Sequence, residues 1–274
     1  MRVEIYIAQT RWEVDGGRPL ELGVSLDFQG DQPRAFEMPR ARSRAVEGDG
    51  FVGDRRRGGS VNCETVEITP HGNGTHTEGV GHLTEDRIPV GDAAGEALIA
   101  ATVLTAPVRH LGSTDETYRG RCDGADRVVC GADFERGFSN LGVGDEFATA
   151  VVVRLDRQTT SFDPAADHSG TNPPYLTDQA TAWLRDRGCD HLLVELPSID
   201  REDDGGSVPN HHRFFGHRRG DSPSDDSKRR TVTEMIAIAD EIDDGPYALS
   251  LRFPRFGLDA APSRPILYRL RRIE

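Results

Sequence analysis

The segment at residues 70–82, PHGNGTHTEGVGH, limits what this chain can be more than any other. It carries His71, His76, Glu78 and His82 close together, with glycines between them. Imidazoles plus a carboxylate form the donor set that suits Zn²⁺ or a similar first-row ion. His76 and Glu78 are two apart, so an extended strand points both to one face, and His82 shares their parity. The glycines let the backbone turn so that these groups converge. The preceding residues, CETVEIT at 63–69, alternate and are rich in β-formers, which predicts that the cluster sits at a strand end. The spacing is not the helical HExxH of a zinc protease. Histidines in a Gly-rich loop are often merely solvated, but three of them with a carboxylate after a strand mark a metal or catalytic site.

The rest of the chain bounds the setting of that site. With 274 residues, no internal repeat and no linker, residues 1–274 read as one domain with a core of substantial size. The N-terminus, MRVEIYIAQTRWEV, alternates like a strand instead of resembling a secretory signal, and no apolar run approaches the ~18 residues of a membrane span. The expectation is a soluble, cytoplasmic protein with no membrane partner. Net charge is −13, and of the 33 basic residues only Lys228 is a lysine. Such an acidic surface speaks to solubility and against a nucleic-acid partner, which needs a basic face. The four cysteines form no CxxC and read as reduced thiols.

In chain order, residues 2–14 and 21–28 read as strands joined by a turn at residues 15–17, and residues 29–60 as a long Gly-, Pro- and Arg-rich loop covering a site. GDGFVG within that loop is formally GxGxxG, but it neither follows a clear strand nor opens a helix, so a nucleotide-binding oxidoreductase is a remote third reading that cofactor absorbance on purification would have to support. Residues 97–108 and 146–155 read as buried apolar strands flanking a poorly patterned polar stretch. Residues 176–187 give the clearest helix: Thr177 caps it, Leu176, Ala180, Trp183 and Leu184 form its apolar face, and Gly188 ends it. Strand HLLVEL at 191–196 follows at once and runs into PSID. That order belongs to an α/β (α+β layered) domain with a mixed central sheet. His211 and His212 come just ahead of Phe214 and Phe215. Residues 216–230 read as a polar surface excursion in which His217 is solvated. Glu234 then falls in an apolar run, either facing outward by alternation or buried with a partner. No GxSxG is present, which removes the common serine-hydrolase reading.

These residues carry a resemblance. GTHTEGVGH is similar to the signature of the cyclase family of metal-dependent hydrolases, which includes bacterial kynurenine formamidase: HxGTHxDxPxH, followed later by HxxLL and a Glu in a final core strand. Gly74, Thr75 and His76 match the GTH, Glu78 stands at the acid, and His82 matches the last His. His211 ahead of Phe214 and Phe215 stands where HxxLL does, and Glu234 at the late Glu. The block ending in PSID resembles the family's helix and strand leading to TPSxD, so the resemblance spans roughly residues 20–265. Three departures mark a divergent branch: Val80 replaces the Pro, Glu78 replaces the Asp, and His71 lies five residues before His76 where the family has four.

The resemblance implies a swivelling β/β/α fold, usually dimeric, with one or two Zn²⁺ or Mn²⁺ ions. His76, Glu78, His211, Glu234 and His71 are its implied ligands. The implied reaction is hydrolysis of the C–N bond of a small amide, formamide or cyclic imide by a metal-activated water, with His82 carrying the proton to the leaving nitrogen. Phe214 and Phe215 are candidates for the wall of the substrate pocket. A lyase or ring-opening enzyme on the same site, and a metal-stabilised binding protein without catalysis, are the alternatives.

Overall fold

The computed structural model describes residues 2–93 and 97–273; of the 1–274 span, residues 1, 94–96 and 274 lie outside the described residues. The N-terminal stretch, expected as one strand, is a hairpin of β1 (Arg2–Ile7) and β2 (Thr10–Asp15), because Ala8 adopts φ 51° and reverses the chain. Of the strand expected at 21–28, only β3 (Leu20–Glu21) forms. The loop expected at 29–60 holds β4 (Arg42–Ala45), which pairs with β7 (Glu64–Glu67), and a small hairpin of β5 (Glu47–Gly48) and β6 (Phe51–Val52). GDGFVG is the tip of that hairpin, with Asp49 and Gly50 both at positive φ as such a two-residue turn requires.

The site cluster lies on β8 (His76–Glu78). Four strands then run parallel as neighbours: β9 (Ile99–Ala106), β12 (Ala150–Leu155), β14 (His191–Val194) and β15 (Thr231–Glu234). A minor sheet is made of β10 (Val108–His110), β11 (Arg127–Val129) and β13 (Tyr175–Leu176). The chain finishes with β16 (Gly245–Ser250), β17 (Ala260–Pro262) and β18 (Ile266–Arg272). The large mixed sheet has the order β1-β2-β18-β16-β9-β12-β14-β15-β8-β17, with β3 also paired to β18.

Helices α1 (Gly131–Leu141), α2 (Asp178–Asp186) and α3 (Pro209–Phe215) lie in the crossovers between these parallel strands, and α4 (Asp225–Arg229) precedes β15. Strands added successively in one direction by right-handed crossovers place all their helices on one face. Accordingly Phe134, Phe138, Ala180, Leu184, Phe214 and Phe215 pack on Val151, Val153, Leu192, Val194 and Val232. The alternate residues Ala101, Val103, Ala150, Val152 and Leu193 face the opposite core, closed by Leu22, Ile236, Ile238 and Ile242. Burial on both faces is why these strands read as unbroken apolar runs.

α2 is capped as expected: the Thr177 hydroxyl accepts from Ala180 N–H at 3.1 Å. The strand expected from 146 begins only at Ala150, because Asp145–Ala148 form a 3-10 turn first. α1 arises in a stretch that looked unpatterned. Its first two amides, Gly131 and Ala132, donate to the distant Glu116 carboxylate, both at 2.8 Å. His217, expected in solvent, is 5% exposed. Its Nε2–H donates to the Asp221 carbonyl at 3.0 Å, which folds the excursion onto the body. No helix among the described residues is long and apolar enough to cross a membrane.

Because Phe134 of α1 is wholly buried while Phe51 at the hairpin tip is 40% exposed, Phe134→Ala is expected to cost about 3–5 kcal/mol of stability. Phe51→Ala should stay within about 0.5 kcal/mol. Urea denaturation of both variants checks this, and equal effects would mean that α1 is not part of the core.

Candidate metal centre

The site forms where the C-terminal ends of the parallel strands meet the antiparallel edge, the position outside the carboxyl ends where open α/β sheets bind ligands. β8 lies between β15 and β17, with His76 opposite Glu234 and Glu78 opposite Val232 and Ala260. Strand parity does what the spacing predicted: His76 and Glu78 point into the site, while Thr77 points away and bonds the Thr233 hydroxyl at 2.8 Å. The Thr75 hydroxyl donates to the Met235 carbonyl at 2.6 Å and accepts from Val24 N–H, pinning the start of β8 to the end of β15. Gly74 takes φ 84°, and its carbonyl receives the His76 Nδ1–H at 3.0 Å. Two 3-10 turns, Pro70–Gly72 and Val80–Leu83, bring in His71 and His82. The second turn needs Gly81, where a Cβ would lie 2.3 Å from the Ile88 carbonyl oxygen.

All six residues expected at the metal or in proton transfer come together. His76, Glu78, His211 and Glu234 are buried; the His71 and His82 side chains are 24% and 33% exposed. His71 bridges two carboxylates, with Nδ1 3.0 Å from Glu78 Oε2 and Nε2 2.9 Å from Asp259 Oδ2. His82 Nδ1 lies 3.3 Å from the same Asp259 oxygen. His211 Nε2 is 2.9 Å from Glu78 Oε1 and 3.5 Å from Glu234 Oε1, and His76 Nε2 is 3.4 Å from Glu234 Oε2.

Two of the imidazoles have their tautomers set from behind. His211 Nδ1–H donates to Asp200 at 2.7 Å, and Asp200 also accepts from the Asn210 and His211 amides at the start of α3. With each Nδ1 engaged, on Asp200 or on the Gly74 carbonyl, Nε2 is the nitrogen that His211 and His76 turn toward the site and the one that would ligate an ion. Such outer partners are what orient metal-ligating histidines.

The donors fit a divalent ion. His76 Nε2, Glu78 Oε1 and His211 Nε2 are buried and crowded together, His211 Nε2 at 2.9 Å from Glu78 Oε1, but none is in a well-directed hydrogen bond. Buried polar atoms so poorly aligned with one another are costly, and a cation among them removes the cost. Three triads can each bring their ligand atoms within 4.8 Å of one another: His71, His82 and Asp259; His71, His76 and Glu78; Glu78, His211 and Glu234. His71 and Glu78 are each shared between two triads.

Without an ion the cluster holds its charge in protons. Burial opposes a charge on His71, but Asp259 and Glu78 outweigh it and push its pKa up to about 10. Burial likewise opposes charging His211, yet Glu78, Asp200 and Glu234 carry it well above the usual imidazole range. The carboxylates move the other way. Hydrogen bonds from His71 and His82 hold Asp259 below its ordinary value, and the surrounding imidazoles hold Glu78 well below its own against the penalty of burial.

Asp259 and Asp200 are the residues that sequence reasoning did not assign. Asp259 precedes β17 in a Pro-rich tail with no local signal. Its backbone carbonyl accepts from Gly79 N–H at 2.9 Å, so pairing across the sheet edge delivers it. Asp200 belongs to the PSID sequence, and the signal was that motif itself. Phe214 and Phe215, expected as pocket wall, are wholly buried in the helix-side core, with the Phe215 ring 6.4 Å from that of His211. They back the site through packing and present no surface to a substrate.

The Cyclase family model matches residues 10–201. Among solved structures, isatin hydrolase A from Labrenzia aggregata bound to benzyl benzoate is similar at TM-score 0.58 and 14% identity, over 92% of this chain and 93% of that one. A predicted metal-dependent hydrolase from Bacillus stearothermophilus gives TM-score 0.56 at 14% identity, over 92% and 98%. Isatin hydrolase A from Ralstonia solanacearum gives 0.56 at 12%, over 92% and 91%. At these identities the likeness is one of fold. A search of curated proteins finds no match.

Metal ligands must be deprotonated to bind. With His71 and His211 raised, Zn²⁺ loading of the metal-free protein at pH 7 should release on the order of one or two protons per ion, and affinity should rise with pH. Calorimetry in buffers of different ionisation enthalpy measures the release, and a value of zero would contradict these protonation states.

Proposed function

The chain belongs to the cyclase family, and on that premise we propose that it is a metal-dependent hydrolase cleaving the C–N bond of a small amide, formamide or cyclic imide. The observation that carries the proposal is the buried convergence of His76 Nε2, Glu78 Oε1 and His211 Nε2, none of them in a well-directed hydrogen bond, beside the more exposed His82. His76, Glu78, His211 and Glu234 would hold the metal, with His71 and Asp259 completing it on the open side. Nitrogen and carboxylate donors without thiolates suit Zn²⁺ or Mn²⁺, and the sharing of His71 and Glu78 between triads suits one or two ions. A divalent ion there supplies a water whose pKa is lowered to about 7 and polarises a carbonyl oxygen.

The chain's own groups account for the proton. His82 Nδ1–H donates to Asp259, which leaves Nε2 as the basic nitrogen and gives the resulting imidazolium a carboxylate partner. Nε2 takes a proton from the attacking water and returns it to the nitrogen that leaves as the C–N bond breaks. Imidazole is the side chain that can both take and give a proton near neutral pH. Asp200 keeps His211 in the tautomer the site needs, and the buried Phe215 holds its ring in place. The working form in this proposal is a cytoplasmic homodimer acting on a small molecule.

The test is a panel of isatin, formanilide, a cyclic imide and a lactone, assayed with and without chelator. The expected outcome is hydrolysis of at least one C–N substrate that chelator abolishes and Zn²⁺ or Mn²⁺ restores. His82→Asn should lower kcat by about 10²–10⁴-fold with metal content unchanged. Loss of metal in that variant would make His82 a ligand instead, and silence across the panel with metal bound would favour a binding protein.

A further inference from the structure

On the outer side of α3, away from the metal centre, lies a cavity of about 670 Å³ between α2, α3 and the turn that follows α3. In a chain of net charge −13, its wall carries Arg119, Arg185, Arg213 and Arg218 together with His212 and His217. Among the described residues, Asp186 is the one carboxylate on that wall. Asp178 answers two of the guanidiniums from beneath, at 3.5 Å from Arg119 and 4.0 Å from Arg213. Arg185 and Arg218 make no ion pair among the described residues.

The arrangement is built into the fold. Arg185 Nη1 donates to the Arg213 carbonyl at 2.8 Å, which holds the guanidinium under the turn. That turn is made by Gly216 at φ 65°, where a Cβ would come within 2.1 Å of Arg185 Nη1. His217 is 95% buried; its Nε2 is spent on the Asp221 carbonyl, and its Nδ1 has no hydrogen-bond partner. Arg213 Nε is also buried without one. Burial, with Arg230 nearby, lowers the Arg185 pKa from its usual value, so its charge sits there at a cost that an anion would offset.

We propose that this cavity binds a small, multiply charged phosphate compound. Guanidinium forks match phosphate oxygens in pairs, which is why arginine clusters recognise phosphoryl groups. The volume admits a ligand of metabolite size. No Phe, Tyr or Trp lines the wall, so the charge of the ligand carries most of the recognition. The cavity shares α3 with His211 but opens on the other side of the helix, so binding does not depend on the metal centre.

The test is calorimetric titration of inorganic pyrophosphate into the full chain after chelator treatment, with inorganic phosphate and citrate as comparison anions. The expected result is one equivalent of pyrophosphate bound, more tightly than phosphate or citrate. Arg185→Gln and the exposed Arg218→Gln should each weaken it at least about tenfold, the loss of one charge-assisted pair. Saturable binding that both variants retain, binding seen only in metal-loaded protein, equal affinity for citrate, or no binding at all would each overturn the assignment. None of these outcomes bears on the metal centre, whose own failure would appear in the substrate panel.

Discussion

The Glu78 carboxylate is the contact on which the centre turns. It is 1% exposed, sits on a strand bonded on both sides, and faces His71, His82 and His211 with no aliphatic escape. A carboxylate desolvated to that degree is tolerated only when paired or when it coordinates a metal. Here the same requirement extends outward. Glu234, Asp259 and Asp200 are brought to the same imidazoles, so four carboxylates and four histidines share one pocket. Protons on His71 and His211 balance part of this charge in the metal-free state, and a divalent ion balances it without them.

The topology makes that concentration of charge affordable. Four parallel strands added in one direction put α1, α2 and α3 on a single face, giving a helix-side core of large apolar residues. Burial there supplies the stability that a polar pocket at the sheet edge does not. The pocket takes Glu234 from the end of β15, His211 from α3, His76 and Glu78 from β8 and Asp259 from the entry to β17. Each rests on an element held by strand pairing or core packing. The helix that presents His211 inward also carries His212 and Arg213 on the cavity behind it.

Legibility in the sequence followed the range of the interactions. His71, His76, Glu78 and His82 were readable because strand parity and two tight turns, all within residues 70–83, bring them together. α2 was readable for the same reason, since its cap and apolar stripe are local. α1 was not, because Gly131 and Gly137 dilute its pattern and its cap is Glu116, fifteen residues earlier. The hairpin in residues 2–15 hid behind continuous alternation, since only the positive φ of Ala8 breaks it. Asp259 was invisible because its place is set by pairing across the sheet edge with residues far earlier in the chain. Resemblance reached His211 and Glu234 where local pattern did not, and it led the reading of Phe214 and Phe215 toward a pocket that their burial closes.

The most direct test of this account is the metal content of Glu78→Gln beside the native protein, by mass spectrometry after equilibration with Zn²⁺ or Mn²⁺. Glutamine keeps the shape and removes the charge shared by two of the triads. The native protein should bind one to two ions, and the variant should lose affinity by at least about 100-fold, the upper end of what outer-partner changes cause. Unchanged metal content in a folded Glu78→Gln protein would show that the buried carboxylate is not the hub of the centre.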